Sequence, residues 1–542
     1  MSAVTMKNAM SMGRLLALVA AAASLLLTAA AHAAAPGITG TGGNAAAFDL
    51  TAQPAYLSQP DGQAVYSWGY GCNTAPAAGQ FVPTTITTGA CGAMQVPGPT
   101  LVVTENQLVS ITLTNNLPTS AGNTSILFPG FQVTTTGGTA GLLTQEAAPG
   151  GSVTYTFTAG SPGTRAYYSG TQGDLQVEMG LYGVIIVLPA AAAANCTAGP
   201  ANGGAGFAAA NGTAEAFWGE LDFRLASAAY DHAKTCYDRE YLFQFSEMDP
   251  NIHTQAQAQV AALAGCVAGA AGCSLNVPTE PYHPAYYMIN GRSMPDDMDP
   301  NYATQYPHQP YNGNPHMHPG EQVLLRIVGQ GRWQHPFHEH GNHVRILGRD
   351  GNLILSQTNP NELAGPLLFT TTTTPGLAMD GIFYWTGRGL NWDPYGHNLG
   401  SGDASAKLPC TADTNGYNTG APTAINYYEW CQDHNKPMEK APFGDVGAGG
   451  PVTLPDPNLF ANGAWYGGSP YLGPNATVRY AGPTGSTPPS GTIANSPSGE
   501  AGFAFMWHSH NEREITTNNI FPGGMLMMML VDSREFVIDE SN

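Results

Sequence analysis

The chain has 542 residues, 43% of them hydrophobic and 10% charged, and a net charge of −20. That length exceeds one ordinary core and calls for two to four domains of about 100–200 residues each. With 18 Lys plus Arg against 38 Asp plus Glu, the surface repels nucleic acid and anionic lipid, which excludes both as partners.

The N-terminus reads as an export signal. Lys7 and Arg14 precede the apolar run Leu15 to Ala30, and Ala31-His32-Ala33 has the A-x-A form of a cleavage site. Residues 1–33 are therefore predicted to be removed, leaving a mature chain that begins near Ala34. The apolar run falls short of the about 20 residues that cross a bilayer, and no later stretch reaches that length, so no membrane anchor is expected. The predicted location is periplasmic or secreted. Eight cysteines suit an oxidising compartment. Their spacing suggests Cys72 with Cys91, Cys196 with Cys236, Cys266 with Cys273, and Cys410 with Cys431. None adjoins the histidine motifs below, which favours disulfides over thiolate metal ligation.

Gly (67) and Pro (42) are abundant, and Thr, Val, Tyr and Ile recur in short alternating runs, the composition of an all-β chain with many turns. Leu101 to Asn115 reads as two strands, with further strands at Ser152–Thr158 and Gly183–Leu188, so a first sandwich is predicted over 45–190. The small-residue stretch 191–212 reads as a linker. A second β-region spans 213–535, with strands at Glu240–Phe245, Tyr286–Asn290, Gln322–Val328, Val344–Leu347, Ile382–Trp385, Gly502–Trp507 and Met525–Val531, and a short surface helix within 256–270. It is interrupted by a long Gly/Pro/Asn/Thr-rich insertion at about 390–500. Two principal sandwich domains follow, with three as the alternative.

Two clusters stand out among the 15 histidines: His335-Pro-Phe-His338-Glu-His340-Gly and Trp507-His508-Ser-His510. Side chains alternate along a strand, so His338 and His340 share one face, as do His508 and His510, while Glu339 and Ser509 point the other way. One such pair fits a polar strand edge. Two pairs in an exported chain favour a metal, and imidazole suits copper or zinc while calcium and magnesium prefer oxygen. His316-Met-His318 reads as an incidental loop pair, and Met525, Met527, Met528 and Met529 as core residues.

These residues resemble the multicopper oxidase superfamily over most of the chain outside the insertion. His335-Pro-Phe-His338-Glu-His340-Gly is similar to the family's H-P-x-H-x-H-G motif, and His508-Ser509-His510 to its H-C-H motif. Val96-Pro-Gly-Pro-Thr100, Gly180-Leu-Tyr-Gly-Val184 and Met288-Ile-Asn-Gly-Arg292 resemble segments that open and close the family's domains. The resemblance implies tandem cupredoxin-like Greek-key β-sandwiches, with His338 in the place of a type 2 copper ligand, His340, His508 and His510 in type 3 places, and His335 in a type 1 place. The chain departs from the pattern where the first domain supplies histidines, having Thr124 to Gly130 and Tyr167-Tyr168-Ser169-Gly170 instead. Ser509 replaces the type 1 cysteine, and Glu514 stands where a histidine follows. A blue site needs thiolate, so none is expected.

The expected cofactor is one copper ion, or zinc, on His338, His340, His508 and His510. Tyr168 is a further ligand or a packing residue, and Glu339, Glu512 and Glu514 orient imidazoles or form an acidic edge. Three functions fit: a copper oxidoreductase acting on a metal ion or small organic donor, a non-catalytic copper sequestration or delivery protein, and an assembly protein on an idle scaffold. The family's two-domain members imply a homo-oligomer.

Overall fold

A computed structural model of the chain describes residues 35–191, 227–385 and 501–532, apart from 43–44, 84–85, 87–88 and 319, together with 193, 196, most of 411–420, the backbone of 468–472, and 538. The expectations placed on the signal segment, on most of the linker and the insertion, and on Cys410 with Cys431 lie outside the described residues.

Two five-stranded sheets make the first sandwich. One has the order Gly163–Tyr168, Tyr182–Leu188, Leu101–Thr104, Gly37–Thr39, Phe81–Val82. The other runs Ala64–Cys72, Ala45–Ser58, Leu108–Asn115, Ser152–Thr158, Thr134–Gly137. Strict alternation places Val109, Ile111 and Leu113 opposite Phe157, Tyr155 and Val153, so each rung puts two large apolar side chains on the inner face. Trp68, Leu101 and Val103 close the core from the other strands. The long strand Ala45–Ser58 and its partner Ala64–Cys72 carry little β-branched sequence and were not expected as strands; pairing on both sides of Ala45–Ser58 holds it extended.

The second sandwich joins two larger sheets. One runs Tyr286–Ile289, Arg239–Met248, Gln322–Gly329, Ala378–Tyr384, Val344–Arg349, Asn352–Leu353, with Leu367–Leu368 paired to Val344–Arg349. The other runs His316–Met317, Leu526–Asp532, Ala501–Ser509, Pro336–Glu339, Thr370–Thr372, with Gly468–Leu472 paired to Ala501–Ser509. Met525, Met527 and Met529 lie in its core, as the strand pattern implied, while Met528 alternates to the other face and is only half-buried, beside Ala504 and Leu530.

The helix begins earlier than expected, at Pro250, and ends at Ala262. Asp249 caps it by accepting from the Asn251 amide, and Pro250 stands in the first turn, where its missing N–H is not needed. Ile252 and Ala256 of this helix, with Leu275 and Tyr282 beyond it, pack into the core of the first sandwich. Disulfides join Cys72 with Cys91, Cys196 with Cys236, and Cys266 with Cys273.

A buried polar knot ties the two sandwiches together. The Asp380 carboxylate accepts from the Thr164 amide (3.0 Å) and hydroxyl (2.5 Å) of the first sandwich and from the Tyr230 hydroxyl (2.6 Å). Arg326 reaches the Thr164 hydroxyl (2.9 Å) and pairs with Glu240 and Asp380. Among the described residues, no helix is long and apolar enough to cross a membrane.

Candidate metal centre

The strands Pro336–Glu339 and Ala501–Ser509 are antiparallel neighbours, in a register that sets His338 opposite His508 and Glu339 opposite Trp507. Alternation then divides the motif residues between two faces. Phe337 and Trp507 point inward, and their rings pack edge to face at 6.0 Å between centroids. The histidines gather on the other face. Ring centroids of His338 lie 4.8 Å from His340, 5.5 Å from His508 and 4.9 Å from His510. One ligating atom from each of His338, His340 and His508 falls within 4.8 Å of the others. The exposed ring of His510 stands beside this tight group rather than within it.

The ring nitrogens are oriented from behind. His508 Nδ1 lies 2.7 Å from the Ser509 carbonyl, and an N–H there fixes the tautomer and leaves Nε2 as the ligating atom, 3.2 Å from His340 Nε2. His338 Nδ1 is held at 2.8 Å by the Thr370 hydroxyl from the neighbouring strand Thr370–Thr372. Sequence gave no sign of Thr370. Two nitrogens bound to one ion at about 2.0–2.1 Å with a near-tetrahedral angle stand roughly 3.3 Å apart, so the His340–His508 spacing is already that of two ligands. Burial, then the charges of His340, His508 and His510, lowers His338 to about 4. Its ring is therefore neutral at pH 7, the form that ligates a metal. An all-imidazole donor set, with His338 and His508 held from behind, fits copper or zinc.

The other candidates serve different neighbours. Glu339 turns to the inner face, fully buried, where Thr371 donates to its Oε1 at 2.7 Å and Oε2 has no partner among the described residues; it orients no imidazole of the cluster. Burial raises it to about 8, so it is a neutral acid at pH 7. Glu339→Gln keeps the acceptor and the neutrality, and is expected to shift the unfolding free energy by less than about 1 kcal/mol in urea melts. Tyr168 lies against Leu127 and Gly376 and makes no hydrogen bond to the imidazoles. Glu512 is exposed. His316 Nδ1 sits 2.6 Å from the Asp532 carboxylate, and Met317 is in the core.

His335 and Glu514 form a separate buried chain. His335 Nε2 meets Glu247 at 2.8 Å and Nδ1 meets Glu514 at 2.9 Å, while the Ser509 hydroxyl also donates to Glu514. Glu247, which lies 88 residues before His335, carried no signal in the sequence. The positions that the resemblance assigns to a type 1 copper are thus filled by an imidazole clamped between two carboxylates. Burial alone would lower the His335 pKa, but the hydrogen bonds and charges of Glu247 and Glu514 outweigh it and carry the group up to about 9. A base raised in the folded state stabilises the fold fully below its unfolded value, and the contribution drains away as pH climbs through the folded one. Stability in denaturant melts is therefore expected to fall by on the order of 3 kcal/mol between pH about 6.5 and 9. His335→Gln should flatten that slope.

Residues 82–192 match the sequence model of a family described as multicopper oxidase. The fold is multicopper oxidase-like. Solved structures similar to it include Multicopper Oxidase mgLAC, at 14% identity and a TM-score of 0.42, covering 91% of this chain and 87% of that one. A blue copper oxidase from Nitrosomonas europaea is similar at 14% identity and a TM-score of 0.41, over 89% and 85% of the two chains. A copper nitrite reductase from the same organism is similar at 18% identity and a TM-score of 0.35, over 62% and 84%. No curated protein sequence matches the chain. The sheet that carries both H-x-H motifs presents a serine, Ser509, where the resemblance expects a copper-binding thiolate.

Proposed function

We propose that this is an exported copper protein of the multicopper oxidase superfamily, built on two cupredoxin-like domains (45–190 and 213–535), that acts as an oxidoreductase with a reduced copper complement. The observation that carries the reading is the convergence of His338, His340 and His508, with ligand atoms mutually within 4.8 Å. These three would hold one ion, with His510 closing the set from the rim. Bound copper would supply one-electron chemistry toward a metal ion or small organic donor. The chain's own part is to keep His338 and His508 neutral by burial and by the neighbouring imidazoles, and to align them through the Thr370 hydroxyl and the Ser509 carbonyl. Ser509 offers no thiolate, so electrons would enter at this centre and not through a blue copper.

The test is metal content with an electron paramagnetic resonance spectrum on the purified mature protein. About one copper per chain, with no intense thiolate-to-copper band in the visible, is the expected result. A strong blue band, or a chain that excludes both copper and zinc, would refute the proposal. Stoichiometric zinc in copper's place would keep the site and remove the redox role. The imidazole clamp in the type 1 positions favours one second reading, copper sequestration or delivery; oxygen consumption with a reduced donor separates it from catalysis.

A further inference from the structure

We propose that the seam between the two sandwiches is a binding site for a small, neutral, largely apolar molecule carrying one hydrogen-bonding group. A cavity of ≈ 470 Å³ opens there, within the about 300–1,000 Å³ typical of small-molecule sites. From the first sandwich it is lined by Leu127, Tyr168 and Ser169, which stand in the two stretches where the family pattern would supply histidines. Gln330-Gly331 and Pro375-Gly376 close it from the second sandwich. None of the four histidines of the metal centre lines it, so this site stands or falls independently of the copper reading.

The lining defines the class of ligand. No lining residue carries a charge, so an ionised ligand would be desolvated there without a partner. Five aliphatic side chains and four glycines make most of the wall; the Ser169 hydroxyl is spent on Thr171 and Gln176 and the Gln172 amide stands at the exposed rim, which leaves two inner polar groups to address the occupant. The Tyr168 hydroxyl makes no hydrogen bond among the described residues, and burial, then the charge of Asp350, raises its pKa, so it remains a neutral donor. Gln330 is only 2% exposed; its Nε2 is spent on the Gly183 carbonyl (2.9 Å) and Gln244 Oε1 (3.2 Å), which leaves Oε1 as an acceptor at the cavity wall. A ligand hydroxyl or amide can accept from the first or donate to the second.

The rim points the same way. Leu142 and Leu143, 92% and 64% exposed, form the tip of the turn between the strands Thr139–Ala140 and Gln145–Glu146 and line the cavity from its open side. Two adjacent leucines held out in water are costly surface unless something apolar covers them, and an apolar ligand in the cavity lies within their reach.

Calorimetric titration of the full mature protein with 2-naphthalenemethanol, and with 2-naphthoate as its charged counterpart, tests the proposal. Saturable one-to-one binding of the alcohol is expected, with the carboxylate weaker by about tenfold or more. Tyr168→Phe removes a hydroxyl that no group among the described residues uses, and should weaken the alcohol several-fold without altering the melt. Leu142→Asp combined with Leu143→Asp changes side chains too exposed to matter for folding, and should weaken it by about tenfold. Absence of saturable heat, equal affinity for the carboxylate, or unchanged affinity in both variants would each overturn the assignment.

Discussion

Replacing His340 and His508 together by alanine is expected to abolish stoichiometric copper binding while the protein stays folded. The two rings supply the nitrogens already at ligand spacing, 3.2 Å apart, and no single ion can recover two lost ligands from what remains. Removing only an outer partner of a ligand lowers metal affinity by about 10–100-fold, so Thr370→Val, which frees His338 Nδ1, should fall in that range and the double variant well beyond it. The fold should survive because the histidines sit on the face opposite the core, where Phe337, Trp507 and Phe505 pack without them. Metal content and a thermal melt on the same sample decide it. Copper retained at the wild-type ratio would move the weight to an idle scaffold.

Asp380→Ala should destabilise the protein by about 3–5 kcal/mol, the largest stability effect expected of one substitution here. The carboxylate accepts from Thr164, Tyr230 and Arg326, and its loss leaves the Thr164 amide and a fully buried guanidinium facing an empty place. Glu240 still neutralises Arg326, which limits the penalty to one lost partner. Asp380→Asn, which keeps the shape and part of the hydrogen bonding, should recover some of the deficit in urea midpoints. A loss below about 1 kcal/mol for the alanine variant would mean that the knot rests on the other groups.

The sequence made some of this legible and hid the rest for physical reasons. Strands such as Leu108–Asn115 and Ser152–Thr158 announce themselves because one face is buried and the other wet, which writes alternation into the residues. Ala45–Ser58 does not, because its Ala- and Pro-containing run is held by neighbours on both sides instead of by its own side chains. At the site, alternation was enough to put each histidine pair on one face. That the two pairs meet depends on strands about 170 residues apart in sequence becoming neighbours, which only the family resemblance suggested. Thr370 and Glu247, which orient His338 and clamp His335, come from distant segments with no motif of their own.

The helix Pro250–Ala262 bears on how such a chain could be divided. Although it follows the segment that the sequence reads as a linker, Ile252 and Ala256 plug the first core, and His253 is sealed against it by the Tyr66 and Glu178 carbonyls. A gene cut at the apparent linker would therefore sever the first sandwich from part of its own interior. Fusion or exchange of this module among related chains would have to carry a plug encoded some sixty residues downstream of its last strand, Tyr182–Leu188. With part of its interior encoded beyond that segment, the first sandwich is expected to fold, and to be inherited, together with the chain that follows it.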